Sequence, residues 1–191
     1  EQIVSHSFFI QNPEGFYEFY KEKMMFLDAK PNAAHRKLAE LEAAGKLTAV
    51  ITQNIDGLHQ AAGSKNVFEL HGSVHRNYCQ KCSKFFDVNY VVNAKGVPYC
   101  DECGGIIKPD VVLYEEGLDS QTINGAVRAI SKADMLIIGG TSLVVYPAAG
   151  MIDYFKGKYL AVLNRDATSR DKQADLCITD PIGEVLGRIR V

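Results

Sequence analysis

Residues 52–72 read TQNIDGLHQAAGSKNVFELHG, and the reading of this stretch decides the fold. It leaves an apolar run, Leu47–Ile51, that has the length and composition of a buried strand. Gln53, Asn54, Asp56 and His59 then crowd together. A second short apolar run, Val67–Leu70, reads as another strand and delivers His71 at its end. Polar side chains gathered where strands end are what an open α/β sheet offers a ligand, because the crevice lies at that edge.

Working outward, the flanks alternate helix and strand. Towards the N-terminus, Pro31 and Asn32 start a helix through Ala33, Ala34, Leu38, Leu41 and Ala44, which Gly45 stops. Before it, Asn12 as cap, Pro13 and Glu14 open a helix that puts Phe16, Tyr20, Met24 and Leu27 on one face, with Tyr17 and Phe19 beside it. His35 reads as a packing histidine. Towards the C-terminus, 108–116 has strand character and 121–132 is helical. Residues 134–140, Asp-Met-Leu-Ile-Ile-Gly-Gly, are expected to be a central parallel strand. A helix over 147–155, a strand over Tyr159–Leu163 ending at Asn164, an apolar run at 176–178 and a helix over 182–188 follow. The β-α-β-α-β order predicts an α/β fold with a Rossmann-like parallel sheet. We expect a small helical module over 1–30, the Rossmann-like part over 31–73 and 109–191, and an inserted module over 74–108.

That insert carries Cys79-Gln-Lys-Cys82 and Cys100-Asp-Glu-Cys103. Two CxxC knuckles at this separation offer four thiolates to one tetrahedral ion, so they predict a zinc ribbon. With all four positions sulfur, no ligand site is left for water, and the zinc is expected to be structural. Cys177, in the apolar Ala-Asp-Leu-Cys-Ile run, is expected to be a buried, inert thiol. Cysteines kept for metal favour a reducing, cytoplasmic setting. The chain has 191 residues, 47% of them hydrophobic, and a net charge of −2. That suits a real core and argues against direct binding of nucleic acid, which needs a basic surface. The apolar runs are strand-sized, so no membrane span is expected.

Gly139-Gly-Thr-Ser142 after a strand suits a nucleotide: glycines admit close approach, and the hydroxyls can bond ribose or phosphate. Asn164 at the next strand end adds a second contact of this type. No GxGxxG with a downstream acid is present, which disfavours hydride transfer. His71, close by topology to Asn54 and Asp56, is the candidate base, since imidazole takes a proton near neutrality. His59 and His75 read as structural, and His6 lacks a functional neighbour.

Taken in order, VSHSFF and its helix, TQNIDGLH, ELHG, the two CxxC pairs, PDVVLYEE, GTSLVVYP, the Asn164 strand end and the GEVL helix resemble the sirtuins, the NAD-dependent protein deacylases, over nearly the whole chain. The resemblance implies that NAD and one structural zinc are the cofactors, and that acyl-lysine proteins or peptides are the partners. It implies that Gln53, Asn54, Ile55 and Asp56 serve the nicotinamide end of NAD, with Gln53 and Asn54 at its ribose and Asp56 at the nicotinamide. His71 would be the general base on a ribose hydroxyl. Gly140, Thr141 and Ser142 would hold the cofactor, Asn164, Arg165 and Asp166 the adenosine ribose, and the backbone at Cys177 would abut adenine. Val112 and Tyr114 would line the acyl-lysine tunnel, the peptide adding as a strand between the Tyr114 and Val145 segments. The acyl group would pass to ADP-ribose as nicotinamide leaves. An ADP-ribosyltransferase on the same scaffold and a non-enzymatic zinc-ribbon binding module are the alternatives. Two departures stand out. Tyr114-Glu115 replaces the family's Phe-Gly, and the family's Gly-Ala-Gly-Ile-Ser loop and Asp-Phe-Arg segment would lie before Glu1.

Overall fold

In the computed structural model, which describes residues 2–191, the chain runs through α1 (His6–Gln11), α2 (Pro13–Lys23), α3 (Ala33–Ala43), β1 (Val50–Thr52), α4 (Leu58–Ala61), β2 (Val67–Glu69), β3 (Gly72–Cys79), β4 (Phe85–Asp87), α5 (Val88–Asn93), β5 (Ile107–Val111), α6 (Ser120–Lys132), β6 (Met135–Gly139), α7 (Ala148–Met151), β7 (Tyr159–Leu163), β8 (Leu176–Ile178) and α8 (Ile182–Gly187). These elements form two compact units. One comprises Glu1–Ala29, Asn54–Gly57 and His71–Leu118; the other comprises Lys30–Gln53, Leu58–Leu70 and Asp119–Val191.

The first unit is built on β3, which pairs antiparallel with β4 on one side and β5 on the other. Its core is aromatic. Phe9, Phe16, Tyr17 and Tyr20, from α1 and α2, pack with Val74, Phe86, Val91, Ile107, Val111 and Leu113. Phe9 meets Phe16 edge-on at 5.0 Å, and Phe16 stacks on Tyr20 at 5.5 Å, the offset geometries that ring quadrupoles favour. The Tyr17 hydroxyl donates to the Ile107 carbonyl, so α2 is tied to β5 by a bond as well as by packing. Asn12 ends α1 with its own N–H on the Phe8 carbonyl and starts α2 by accepting from Gly15 N at 3.0 Å. The Lys21 ammonium donates to the carbonyls of Ala94 (2.6 Å) and Gly96 (2.9 Å), and burial lowers its pKa.

The helical segment and the cysteine module therefore share one core, whereas the sequence suggests two modules. Residues 109–118 also belong here, because β5 pairs with β3 and not with a parallel strand. The helix expected to carry Leu27 stops at Lys23, and Leu27 is exposed.

The second unit holds the parallel pairings. β1 lies beside β2, and β6, β7 and β8 form a three-stranded sheet in that order. Ile138, Leu160 and Val162 pack with Leu143 and Ile152, and Ala34, Leu163 and Leu186 join α3 and α8. Asn32 caps α3 in a reciprocal box with His35, whose ring lies 4.7 Å from that of His59. The Glu42 carboxylate accepts from the amides of Lys65 (2.9 Å) and Asn66 (2.8 Å), which fixes the turn into β2. Asp119 caps α6 through Thr122 N at 2.7 Å. The 147–155 helix is shorter than expected, with α7 passing into a 3-10 turn over Ile152–Tyr154. The apolar β6 is not central among the described residues. It is an edge strand with β7 in the middle, which leaves Met135 47% exposed.

Gly72 opens β3 with φ +76°, and a Cβ there would stand 1.9 Å from the Asp110 carbonyl oxygen. No side-chain movement relieves a clash with backbone. Gly72→Ala is expected to cost at least about 3 kcal/mol of stability, read from urea unfolding.

Candidate active site and metal centre

Two parallel strand ends build a polar cleft in the second unit. β6 finishes at Gly139, and Gly140 turns the chain with its N–H on the Leu163 carbonyl at 3.2 Å. The Thr141 hydroxyl accepts from Leu143 N at 3.2 Å and from the Gln53 side-chain amide at 3.3 Å. β7 ends at Leu163, after which Asn164 donates from its side chain to the Asp166 carbonyl at 2.7 Å. Gly140, Thr141, Ser142, Asn164, Arg165 and Asp166 thereby line one cavity of about 340 Å³, together with Ala167. All six sequence-assigned residues are there, and Gln53 reaches the same loop. Ala167 has no side-chain chemistry, so no signal marks it in the sequence. A guanidinium, hydroxyls, an amide and a carboxylate form a donor and acceptor set suited to phosphate and a ribose diol.

Cys177 departs from expectation. Its thiol is exposed and lies 3.6 Å from the Asp171 carbonyl. β8 is an edge strand whose outer face is uncovered, so an apolar neighbourhood in sequence did not become burial. Its backbone pairs with Val162, on the strand that feeds Asn164.

Of the remaining predicted residues, all but Val145 lie in the first unit. His71 sits half-buried in the turn between β2 and β3, and its carbonyl accepts from Val112 N at 3.1 Å. The Asn54–Gly57 segment is docked on β3: the Ile55 carbonyl accepts from Val74 N at 3.0 Å, and Ile55 packs on the aromatic core. Asn54 is exposed and Asp56 half-buried. Val112 is half-buried, Tyr114 is 48% exposed, and Val145, in the second unit, is 39% exposed. Tyr114 bridges in parallel to Ser5: its N–H donates to the Val4 carbonyl at 3.0 Å, and its carbonyl accepts from His6 N at 2.9 Å.

His6 does have a partner of consequence. Its Nδ1 lies 2.8 Å from Glu116, whose carboxylate also accepts from Leu113 N (2.8 Å) and the Lys108 ammonium (3.0 Å). Burial pushes the Glu116 carboxyl up, but the Leu113 amide, His6 and Lys108 together hold it below the usual range. Glu115 adopts φ +78°, a conformation suited to glycine, and its carboxylate accepts from Ser7 N (2.8 Å) and Ser7 Oγ (2.5 Å). These bonds lower its pKa. A pair of adjacent carboxylates after a strand is too common a pattern to reveal either role from sequence.

Cys79, Cys82, Cys100 and Cys103 come together with all four sulfurs within 4.8 Å of one another. Cys79 lies 3.4 Å from Cys103, and Cys82 lies 3.6 Å from Cys100. A tetrahedral zinc with bonds of about 2.3 Å needs sulfurs about 3.8 Å apart, so the quartet fits the ion. Burial opposes ionisation of Cys79, but the amides of Cys82 and Lys81 and the Cys103 thiol bring it down to about 6. Cys82 receives an amide bond from Lys84, which lowers it, yet its thiol neighbours and burial push it up to about 12. Cys79 and Cys82 are thereby pushed in opposite directions, and a bound cation would favour the thiolate form. Lys84 joins the two knuckles, 2.8 Å from both Asp101 and Glu102.

A nucleotide-type cleft on an α/β unit and a four-sulfur metal centre define the class of protein. The Sir2 family model matches residues 1–147, and the chain belongs to the Sir2 family. It is 64% identical over 187 residues to an NAD-dependent protein deacetylase of Clostridium acetobutylicum, covering 97% of this chain and 76% of the relative. The Clostridium perfringens NAD-dependent protein deacetylase is 63% identical over 190 residues, 99% of this chain and 78% of the relative. Among solved structures, a Sir2–p53 peptide–NAD+ complex superposes with a TM-score of 0.92 at 41% identity, covering 98% of this chain and 81% of that one. A Sir2 complex with the inhibitor EX-527, 2'-O-acetyl-ADP-ribose and deacetylated p53 peptide gives 0.92 at 42% identity, with 98% and 83% covered.

Four measurements test this geometry. The protein is expected to carry one zinc per chain by elemental mass spectrometry; chelation is expected to abolish the near-ultraviolet dichroism of the aromatic core, and cobalt substitution to leave the pH optimum of activity unmoved. Glu116, with its pKa depressed on folding, contributes stability that is present above the unfolded carboxylate value of about 4.3 and is lost as pH falls through the folded value. Glu116→Gln should therefore cost about 1 to 2 kcal/mol at pH 7, and less as the pH is lowered through that range.

Proposed function

We propose that this chain is an NAD-dependent protein lysine deacetylase, or more broadly a deacylase. It would move the acyl group from a lysine side chain to ADP-ribose, consuming water and releasing nicotinamide. The observation that carries this reading is the cavity lined by residues 140–142 and 164–167, with Gln53 bonded to Thr141. Bound NAD supplies the ribose carbon that the acyl oxygen attacks and the hydroxyl that finally holds the acyl group.

Each residue then has a task. Gly140, Thr141 and Ser142 hold phosphate and ribose, and Asn164, Arg165 and Asp166 take the adenosine ribose, with the Cys177 backbone against adenine. Gln53 and Asn54 orient the nicotinamide ribose, and Ile55 and Asp56 shape the nicotinamide pocket. His71 accepts the proton from a ribose hydroxyl. Its backbone carbonyl accepts from Val112 N–H, which fixes where the residue stands at the strand end. Orienting the reactants and excluding water contribute the rest of the rate.

Val112, Tyr114 and Val145 receive the acyl-lysine peptide. The Tyr114 backbone is already paired with residues 4 and 6, so a peptide strand would bond through its neighbours. The zinc holds the β3 sheet and stays out of the chemistry. Among the described residues no helix is long and apolar enough to cross a membrane. A cytoplasmic location fits four thiols reserved for metal.

His71→Tyr is expected to lower turnover by about 10²- to 10⁴-fold with zinc content and dichroism unchanged. Nicotinamide release should require an acylated peptide. Release with unmodified acceptors at the same rate would turn the reading towards ADP-ribosyl transfer, and full activity of the Tyr variant would remove His71 from the role.

A further inference from the structure

We propose that His75 is a positioning residue for the nicotinamide side of the site, holding the Asn54–Gly57 segment by the Asp56 carbonyl. The proposal rests on the function given above.

Residues 54–57 are a short excursion of the chain into the first unit, with Gln53 before them and Leu58 after them in the second. They form neither helix nor strand, and their backbone accepts hydrogen bonds from β3. β3 supplies the grip. Its pairing with β5 runs through Ser73↔Asp110 and resumes at Asn77↔Pro109, so residues 74–76 stand out of that ladder. Bulges of this kind re-aim side chains beside functional sites. Here the bulge gives Val74 N–H to the Ile55 carbonyl at 3.0 Å and places His75 Nε2 3.0 Å from the Asp56 carbonyl oxygen. The His75 amide in turn meets Ser73 Oγ at 3.2 Å.

A carbonyl only accepts, so Nε2 carries the hydrogen. The partner position is matched to the ring. Gly57 has φ +69°, and a Cβ there would lie 2.8 Å from His75 Cδ2 and 3.0 Å from Nε2. The small residue lets the imidazole close over the turn, and the closed ring fixes the peptide plane that follows Asp56. The orientation of Asn54 and Asp56 follows from this.

Glutamine places a side-chain N–H about as far from Cβ as Nε2 does, whereas asparagine reproduces the shorter reach of Nδ1. His75→Ala and His75→Asn in the full chain are therefore expected to raise the KM for NAD about two- to ten-fold, while His75→Gln stays within about two-fold of wild type. The KM for acylated peptide and the zinc content should not move, and kcat should change less than the KM for NAD. Without any ligand, amide hydrogen exchange of peptides spanning 53–62 should quicken in the Ala and Asn variants and return to the wild-type rate in Gln. Unchanged exchange in every variant overturns the anchor. Faster exchange with an unaltered KM for NAD, or equal losses in kcat and both KM values, overturns the positioning role. If the wild type itself releases no nicotinamide with acylated peptide, the proposed reaction fails, and the exchange rates still decide whether His75 holds the turn.

Discussion

The hydrogen bonds along β3 are the constraint on which the first unit depends. This one strand begins beside His71, carries His75 in its middle and ends at Cys79. Val74 N–H holds Ile55, β5 closes one side, β4 closes the other, and the metal quartet ties down the far end. A zinc centre closed by four sulfurs has no chemistry to offer a substrate. The quartet closes the end of β3 far from His71, and the register shift between Ser73 and Asn77 lies between the two. The aromatic core of α1 and α2 works in the same direction, pressing Phe16, Tyr17 and Tyr20 onto the sheet.

The second unit solves a different problem. Within the β6–β7–β8 sheet the parallel strands point their carboxyl ends one way, so residues far apart in sequence arrive at one edge. Thr141 and Asn164 share a cavity because β6 and β7 are neighbours and both end there. Parallel pairing makes the cleft, and the side chains at the strand ends decide what it binds.

Much of this was legible in the residues. Asn12-Pro13 and Pro31-Asn32 carry their helix starts in their own chemistry, and Tyr159–Leu163 and Leu176–Ile178 are apolar runs of strand length. The CxxC pairs and the Gly-Gly-Thr-Ser turn are local patterns with a physical cause: the first gathers four sulfurs, and the second lines a cavity. What was not legible depends on partners distant in sequence. The pairing of β5 with β3, the edge position of β6 and the exposure of Cys177 are decided by which faces get covered, and composition does not record that. β3 itself escaped notice because its polar Ser73, His75, Arg76 and Asn77 break the alternation expected of a strand. Asn77 is nonetheless fully buried, donating to the Val74 and Phe86 carbonyls at 3.3 and 3.4 Å. His6 looked isolated because Glu116 lies far along the chain.

The Glu115 turn makes two distant positions interdependent in this chain. A side chain held at a positive φ is tolerated when something offsets the strain, and here that something is Ser7, reached through both its amide and its hydroxyl. Glycine at 115 would remove the strain and the carboxylate together, and the Ser7 hydroxyl would then have nothing to hold at this turn.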